Sequence, residues 1–148
     1  MLWLYKATNR QDLIAKLEGS GAYAGGINYY NQNTPSGCGD INDWDVSAVT
    51  DMSSLFLGRN FNCDIGNWDV SAVTTMFSMF RNNQHFDQNL SNWNTQNVKN
   101  MKYMFHDTKI FNNGCANGQR CNLGWDLSTV SDKGNMWNHQ IPYYNYSR

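Results

Sequence analysis

Two prolines in 148 residues, and charged side chains at only 16 %, are the first scarcities of this chain. No apolar run approaches the roughly 20 residues of a membrane-spanning helix. Net charge is -1 with both signs scattered, so the basic footprint of a nucleic-acid binder is missing. The four cysteines, Cys38, Cys63, Cys115 and Cys121, form no C-x-x-C pair, which argues against a zinc ribbon. The glycines never take the G-x-x-x-x-G-K order of a phosphate loop. His85, His106 and His139 accompany no Ser or Cys in a nucleophile motif. The first residues, MLWLYKATN, lack the basic start and apolar length of a secretory signal. Either the protein does not use that route or a leader has been removed.

Asparagine and aromatic residues are abundant instead. Asn fills 22 positions and aromatics make up 14 %, a composition unlike that of disordered chains. The length suits one domain, expected to span 1–148. From Ile41 the chain repeats itself: INDWDVSAVTDMSSLF, IGNWDVSAVTTMFSMF, LSNWNTQNVKNMKYMF, and a worn copy LGWDLSTVSDKGNMW beginning at Leu123. The tryptophans of the copies are Trp44, Trp68, Trp93 and Trp125, spaced 24, 25 and 32 residues apart. Self-similarity at this period marks stacked repeats.

Within a copy, alternation at Trp-x-Val (Trp44/Val46, Trp68/Val70) has the period of a strand with one buried face. The following apolar residues change to helical spacing: Val49, Met52, Leu55, Phe56, then Val73, Met76, Met79, Phe80, then Val98, Met101, Met104, Phe105. These read as one or two helical turns, with Phe61, Phe86 and Phe111 plugging the return. Asn62, Asp87 and Asn112 follow those phenylalanines and suit the satisfaction of buried turns. The expected fold is α/β: a short right-handed leucine-rich-repeat-like solenoid of about four rungs, each a strand plus a short helix. Residues 1–40 form an N-terminal cap and loop. Thr8 or Asn9 caps a helix through RQDLIAKLE, and Gly19 and Gly21 end it. Residues 41–137 carry the repeats. The aromatic tail 138–148, with Met136 and Trp137 ahead of it, completes a C-terminal cap.

The units WDVSAVTDMSSLF and WDVSAVTTMFSMF resemble the W-D-V-S-x-V-T-x-M-x-x-M-F unit of the bacterial-surface-protein repeat, a BspA-like branch of the leucine-rich repeats. The resemblance covers about residues 38–137; the third copy departs from it at Asn94, Thr95 and Gln96. Such repeats occur in surface proteins of bacteria, in some protists and in proteins of large DNA viruses. The resemblance implies adhesion, surface display or assembly, on a cell surface, in a secreted protein or in a virion. It implies no catalytic residue and no cofactor.

Several residues have a second possible role. Phe77 and Tyr103 stand in slots that other copies fill with Ser53 and Lys102, or Ser54 and Ser78. On a short helix they should point outward, and exposed aromatics mark contact surfaces. Tyr29 and Tyr30 are further interface candidates. Asp45, Asp69, Asn94 and Asp126 follow the tryptophans and should stack. Asp45 and Asp69 could hold calcium, or accept hydrogen bonds from the Ser and Thr just ahead. Cys38 and Cys63 precede equivalent positions of adjacent rungs, near the roughly 5.5 Å Cα separation of a disulfide. Cys115 and Cys121 could close a loop in the same way; otherwise all four are free thiols. The expected function is a non-enzymatic module for binding a protein partner or a neighbouring subunit. The alternative is a carbohydrate-binding adhesion module, which requires exposed tryptophans.

Overall fold

A computed structural model describes residues 5–18, 38–114 and 123–137. Among these the chain forms one α-helix, α1 (Arg10–Glu18), and a single 3-10 turn at Ile41–Asp43. Asn9 caps α1, its Oδ1 accepting the amides of Gln11 at 2.8 Å and Asp12 at 3.1 Å, which satisfies two of the orphan donors of the first turn. Leu13 and Leu17 are buried on its inner face, and Ile14 packs beside them. Gly19 and Gly21 lie outside the described residues.

The repeats are not a solenoid of strand-plus-helix rungs, so the α/β leucine-rich-repeat-like expectation is overturned. Extended pairing among the described residues is confined to isolated parallel bridges, such as Asp51 to Thr75, Thr75 to Asn100 and Asn100 to Asp132. The handedness expectation falls with the strands it assumed. Each copy is instead a succession of tight turns, and two local features impose them.

At the expected strand, the residue after each tryptophan bends the chain. Asp69 Oδ1 accepts the Ser71 amide at 3.0 Å, and the turn closes with Val73 N–H donating to Val70 O at 2.9 Å. Asp45, Asn94 and Asp126 do the same to Ser47, Gln96 and Ser128. A side chain that bonds its own backbone two residues on offers the chain an alternative to the strand. At the expected helix, Ser54, Ser78, Tyr103 and Asn135 occupy one slot of the four copies and all have positive φ, between 50 and 58°. Four residues on, Gly58, Asn82 and Asp107 repeat the left-handed conformation. A right-handed helix cannot run through such residues. The i to i+3 spacing of Met52/Leu55 and Met76/Met79 therefore belongs to turns, closed by Leu55 N–H to Met52 O and Met79 N–H to Met76 O.

The turns of one copy lie in register on the next. Met52, Ser54, Phe56 and Gly58 donate their amides to Thr75, Phe77, Met79 and Arg81 of the following copy. Met76, Ser78, Phe80 and Asn82 donate in turn to Asn100, Lys102, Met104 and His106. Equivalent side chains consequently stack. Phe56, Phe80 and Phe105 follow one another at 5.4 Å, and Trp137 continues the column 4.6 Å beyond Phe105. Phe61, Phe86 and Phe111 form a second column that lies against the first, with Phe80 and Phe86 only 4.0 Å apart. Trp44, Trp68 and Trp93 are buried at 2–3 % exposure. The indole N–H of Trp68 donates to Ile41 O at 2.7 Å, and that of Trp93 to Ile65 O at 3.0 Å. Each large ring thus meets both its apolar and its polar requirement one copy back.

Asparagine serves the return turns as expected. Asn62 Oδ1 accepts the Asp87 amide at 2.8 Å, and Asp87 Oδ1 accepts the Asn112 amide at 2.6 Å. The fully buried Asn83 donates to Phe61 O at 3.0 Å. Here copies approach so closely that a Cβ on Gly66 would stand 2.8 Å from Asn89 O, which only glycine avoids. At the first copy, Ala7 N–H donates to Asp45 O at 2.8 Å, and Arg10 Nη2 donates to Ser53 O at 2.5 Å. These contacts seat α1 on the exposed carbonyl edge of copy one.

Candidate functional site

The residues singled out for contact come together, though not as freely exposed rings. Phe77 and Tyr103 are each half-buried and meet edge to face at 6.1 Å and 82°. Their slots lie in the forward-donating ladder, which brings residues 24–25 apart in sequence onto neighbouring levels. Arg81 and His106, equivalent positions in copies two and three, frame Tyr103. The Arg81 guanidinium stands 5.0 Å from the Tyr103 ring centroid and Lys102 Nζ 5.4 Å. The imidazole of His106 meets the ring edge to face at 5.5 Å.

Charge pairing on this face is uneven. His106 Nδ1 lies 2.9 Å from Asp107 Oδ2, without hydrogen-bond alignment. Asp132, the carboxylate of the neighbouring column, accepts the Gly134 amide at 3.2 Å. Among the described residues, no carboxylate comes within ion-pair distance of Arg81 or Lys102. By contrast Lys6 pairs with Asp45 at 3.2 Å and Arg10 lies 3.9 Å from Asp51. Leu57 occupies the slot of Arg81 one copy earlier and is 40 % exposed. The sequence alone marks none of Arg81, Lys102, His106 and Leu57 as a contact residue, because only the register shows them to be neighbours.

Tyr103 also sits at φ +58°. A bulky residue in the left-handed region is an outlier costing of order 1 kcal/mol. The same slot elsewhere carries Ser54, Ser78 and Asn135, which are smaller.

The calcium alternative finds its carboxylates already engaged. Asp45 Oδ1 accepts both the amide and the hydroxyl of Ser47, at 3.0 and 2.6 Å. Among the described residues no three His, Cys, Asp or Glu side chains gather as a metal site. Hydrogen bonds from the Ser47 side chain and backbone hold the Asp45 carboxyl below its ordinary value of 3.8, with Lys6 adding to the effect. Ser71 and Ser128 lower Asp69 and Asp126 in the same way. A carboxyl depressed in the folded state stabilises it above the unfolded value, and that contribution is lost as pH falls through the folded value. Stability should therefore decline as pH falls below the unfolded value, about 4, and through the depressed folded values. Replacing Asp45, Asp69 and Asp126 together by asparagine, which Asn94 already tolerates, should flatten that decline. Thermal melts across this range would show it; identical acid limbs would disprove the assignment.

Cys38 and Cys63 form a disulfide between adjacent copies, with Cα atoms 5.4 Å apart. Cys115, Cys121, Tyr29 and Tyr30 lie outside the described residues, as do His139 and the tail 138–148. No helix of the described residues is long and apolar enough to cross a membrane.

A family model described as "Mycoplasma protein of unknown function, DUF285" matches residues 27–144. No curated protein matches the chain, and no solved structure does.

Proposed function

The chain belongs to the DUF285 family of Mycoplasma proteins of unknown function, and from that premise we propose that it is a non-enzymatic module that binds another protein at a cell surface. The family is coarsely compatible with the BspA-like repeat that the W-D-V-S-x-V-T units resemble, and surface adhesion or display is what that resemblance implies. The reading rests on one observation: Phe77, Arg81, Lys102, Tyr103 and His106 converge on one face of stacked turns. Tyrosine and arginine are the residue types that dominate binding energy at protein interfaces. The inter-copy disulfide fits an oxidising compartment, where such bonds persist.

The carbohydrate-binding alternative needs tryptophan faces open to sugar rings. Trp44, Trp68 and Trp93 are inside, and Trp125 is half-buried with its N–H donated to Leu90 O at 3.1 Å. No observation favours it over protein binding.

Photocrosslinking tests the proposal. A benzophenone side chain at position 77, on protein presented to intact cells of the producing organism, should give an adduct of discrete mass. The same group at the exposed Thr129, away from the cluster, should not. Absence of a discrete adduct at 77, or equal labelling from both positions, would reject the module.

A further inference from the structure

We infer that the Tyr103 cluster recognises a carboxylate-rich polypeptide segment, a deepening that rests on the protein-binding reading above. Three features converge on this chemistry. Arg81 and Lys102 bring two cations to one aromatic ring, 5.0 and 5.4 Å from its centroid. Within the described residues neither cation has a carboxylate partner. Arg81 Nε is buried without a hydrogen-bond partner, so an acceptor from outside would meet the terminal nitrogens of the guanidinium. An arginine stacked on a tyrosine keeps its in-plane N–H groups free, and that fork matches a carboxylate in bidentate geometry. The surrounding Phe77 and Leu57 supply apolar contact for the side-chain stem that carries the acid.

The carboxylates nearby lie beyond ion-pair distance of both cations. Asp107 Oδ2 lies 2.9 Å from His106 Nδ1, and Asp132 Oδ1 accepts the Gly134 amide at 3.2 Å. Elsewhere along the stack the acidic side chains Asp45, Asp69 and Asp126 recur copy by copy, and the chain as a whole carries a net charge of -1. A long polyanionic glycan would need an extended row of cations, and this cluster offers two. A short acidic peptide places its charge on the two cations alone. The slot is left-handed in every copy, and Tyr103 is the one ring among Ser54, Ser78 and Asn135.

Binding of tetra-L-glutamate by the whole chain, followed by NMR shifts of the Tyr103 and Phe77 rings at low salt, tests the inference. Saturable shifts confined to this cluster are expected, fading as salt rises. The Arg81→Gln/Lys102→Gln double variant should weaken the affinity by about tenfold or more. Tyr103→Ser, the residue that Ser54 and Ser78 show the slot accepts, should also weaken it while keeping the fold. No shifts with tetra-L-glutamate, or binding unchanged in the double variant, would overturn the inference. So would heparin binding the cluster more tightly than tetra-L-glutamate, which would assign the face to polyanionic glycans. If the cell-surface adduct at position 77 forms and survives Arg81→Gln/Lys102→Gln, the acidic specificity is wrong and the module stands. If no adduct forms at all, the module itself is wrong.

Discussion

Truncation of Phe80 to alanine is expected to lower the unfolding free energy by about 3–5 kcal/mol, a large part of the about 5–15 kcal/mol that holds a domain folded. Phe80 is fully buried and sits where both aromatic columns meet. Phe56 and Phe105 stack on it from either side at 5.4 Å, and Phe86 lies 4.0 Å away. The hydrogen-bond ladders above and below fix the spacing of the copies, so neighbouring rings cannot close the gap without breaking amide pairs. The cost should therefore include nearly the whole cavity in addition to the lost transfer energy. Phe80→Leu, which leaves a smaller void, should cost about 1–2 kcal/mol. Urea denaturation followed by tryptophan fluorescence measures both. A loss below about 1 kcal/mol for Phe80→Ala would mean that the columns are not a continuous packed core.

Breaking the Cys38–Cys63 bond is the second large effect. The bond closes a span of 25 residues, for which chain entropy gives about 3.5 kcal/mol of stabilisation at 25 °C. For a chain of this size that corresponds to a fall in melting temperature on the order of 10 °C. The bond should also resist mild reductants, because Cys63 is fully buried and thiol exchange needs access to sulfur. Reduction in partial denaturant followed by refolding, with thiols counted, separates access from stability. A melt unchanged once both sulfurs are reduced would show that the first two copies hold together without the bond.

What was legible from residues alone was the stacking, because identical side chains at a fixed period have few other ways to be buried. Trp68 lying on the Trp44 copy, and Phe56, Phe80 and Phe105 sharing a column, follow from that. Local conformation was misread for a physical reason. Apolar residues at i and i+3, such as Met52 and Leu55, serve a helix and a turn equally well. What distinguishes them is the sign of φ a few residues on. Gly58, Asn82 and Asp107 carry that information openly, since glycine, asparagine and aspartate are the residues that tolerate the left-handed region. Ser54, Ser78 and Tyr103 do not, and their positive φ is imposed by the ladder. The contact face was half legible. Phe77 and Tyr103 broke the polar pattern of their slots, but Arg81, Lys102 and His106 look like ordinary surface residues until the copies are placed in register. The α1 cap by Asn9 and the Cys38–Cys63 pair were within reach because both depend on local order and repeat phase.

The forward run of amide donors after each bridge gives the architecture a grammar of growth. Copy two accepts from copy one and donates to copy three through the same slots, so each cassette of 24 or 25 residues has matching upper and lower surfaces. A duplicated cassette inserted between them would find its acceptors and donors already laid out. It would lengthen the aromatic columns by one level between α1 and Trp137. Gene duplication can thus change the reach of such a protein without redesigning its interior, and each added level brings one more set of outward slots for selection to alter.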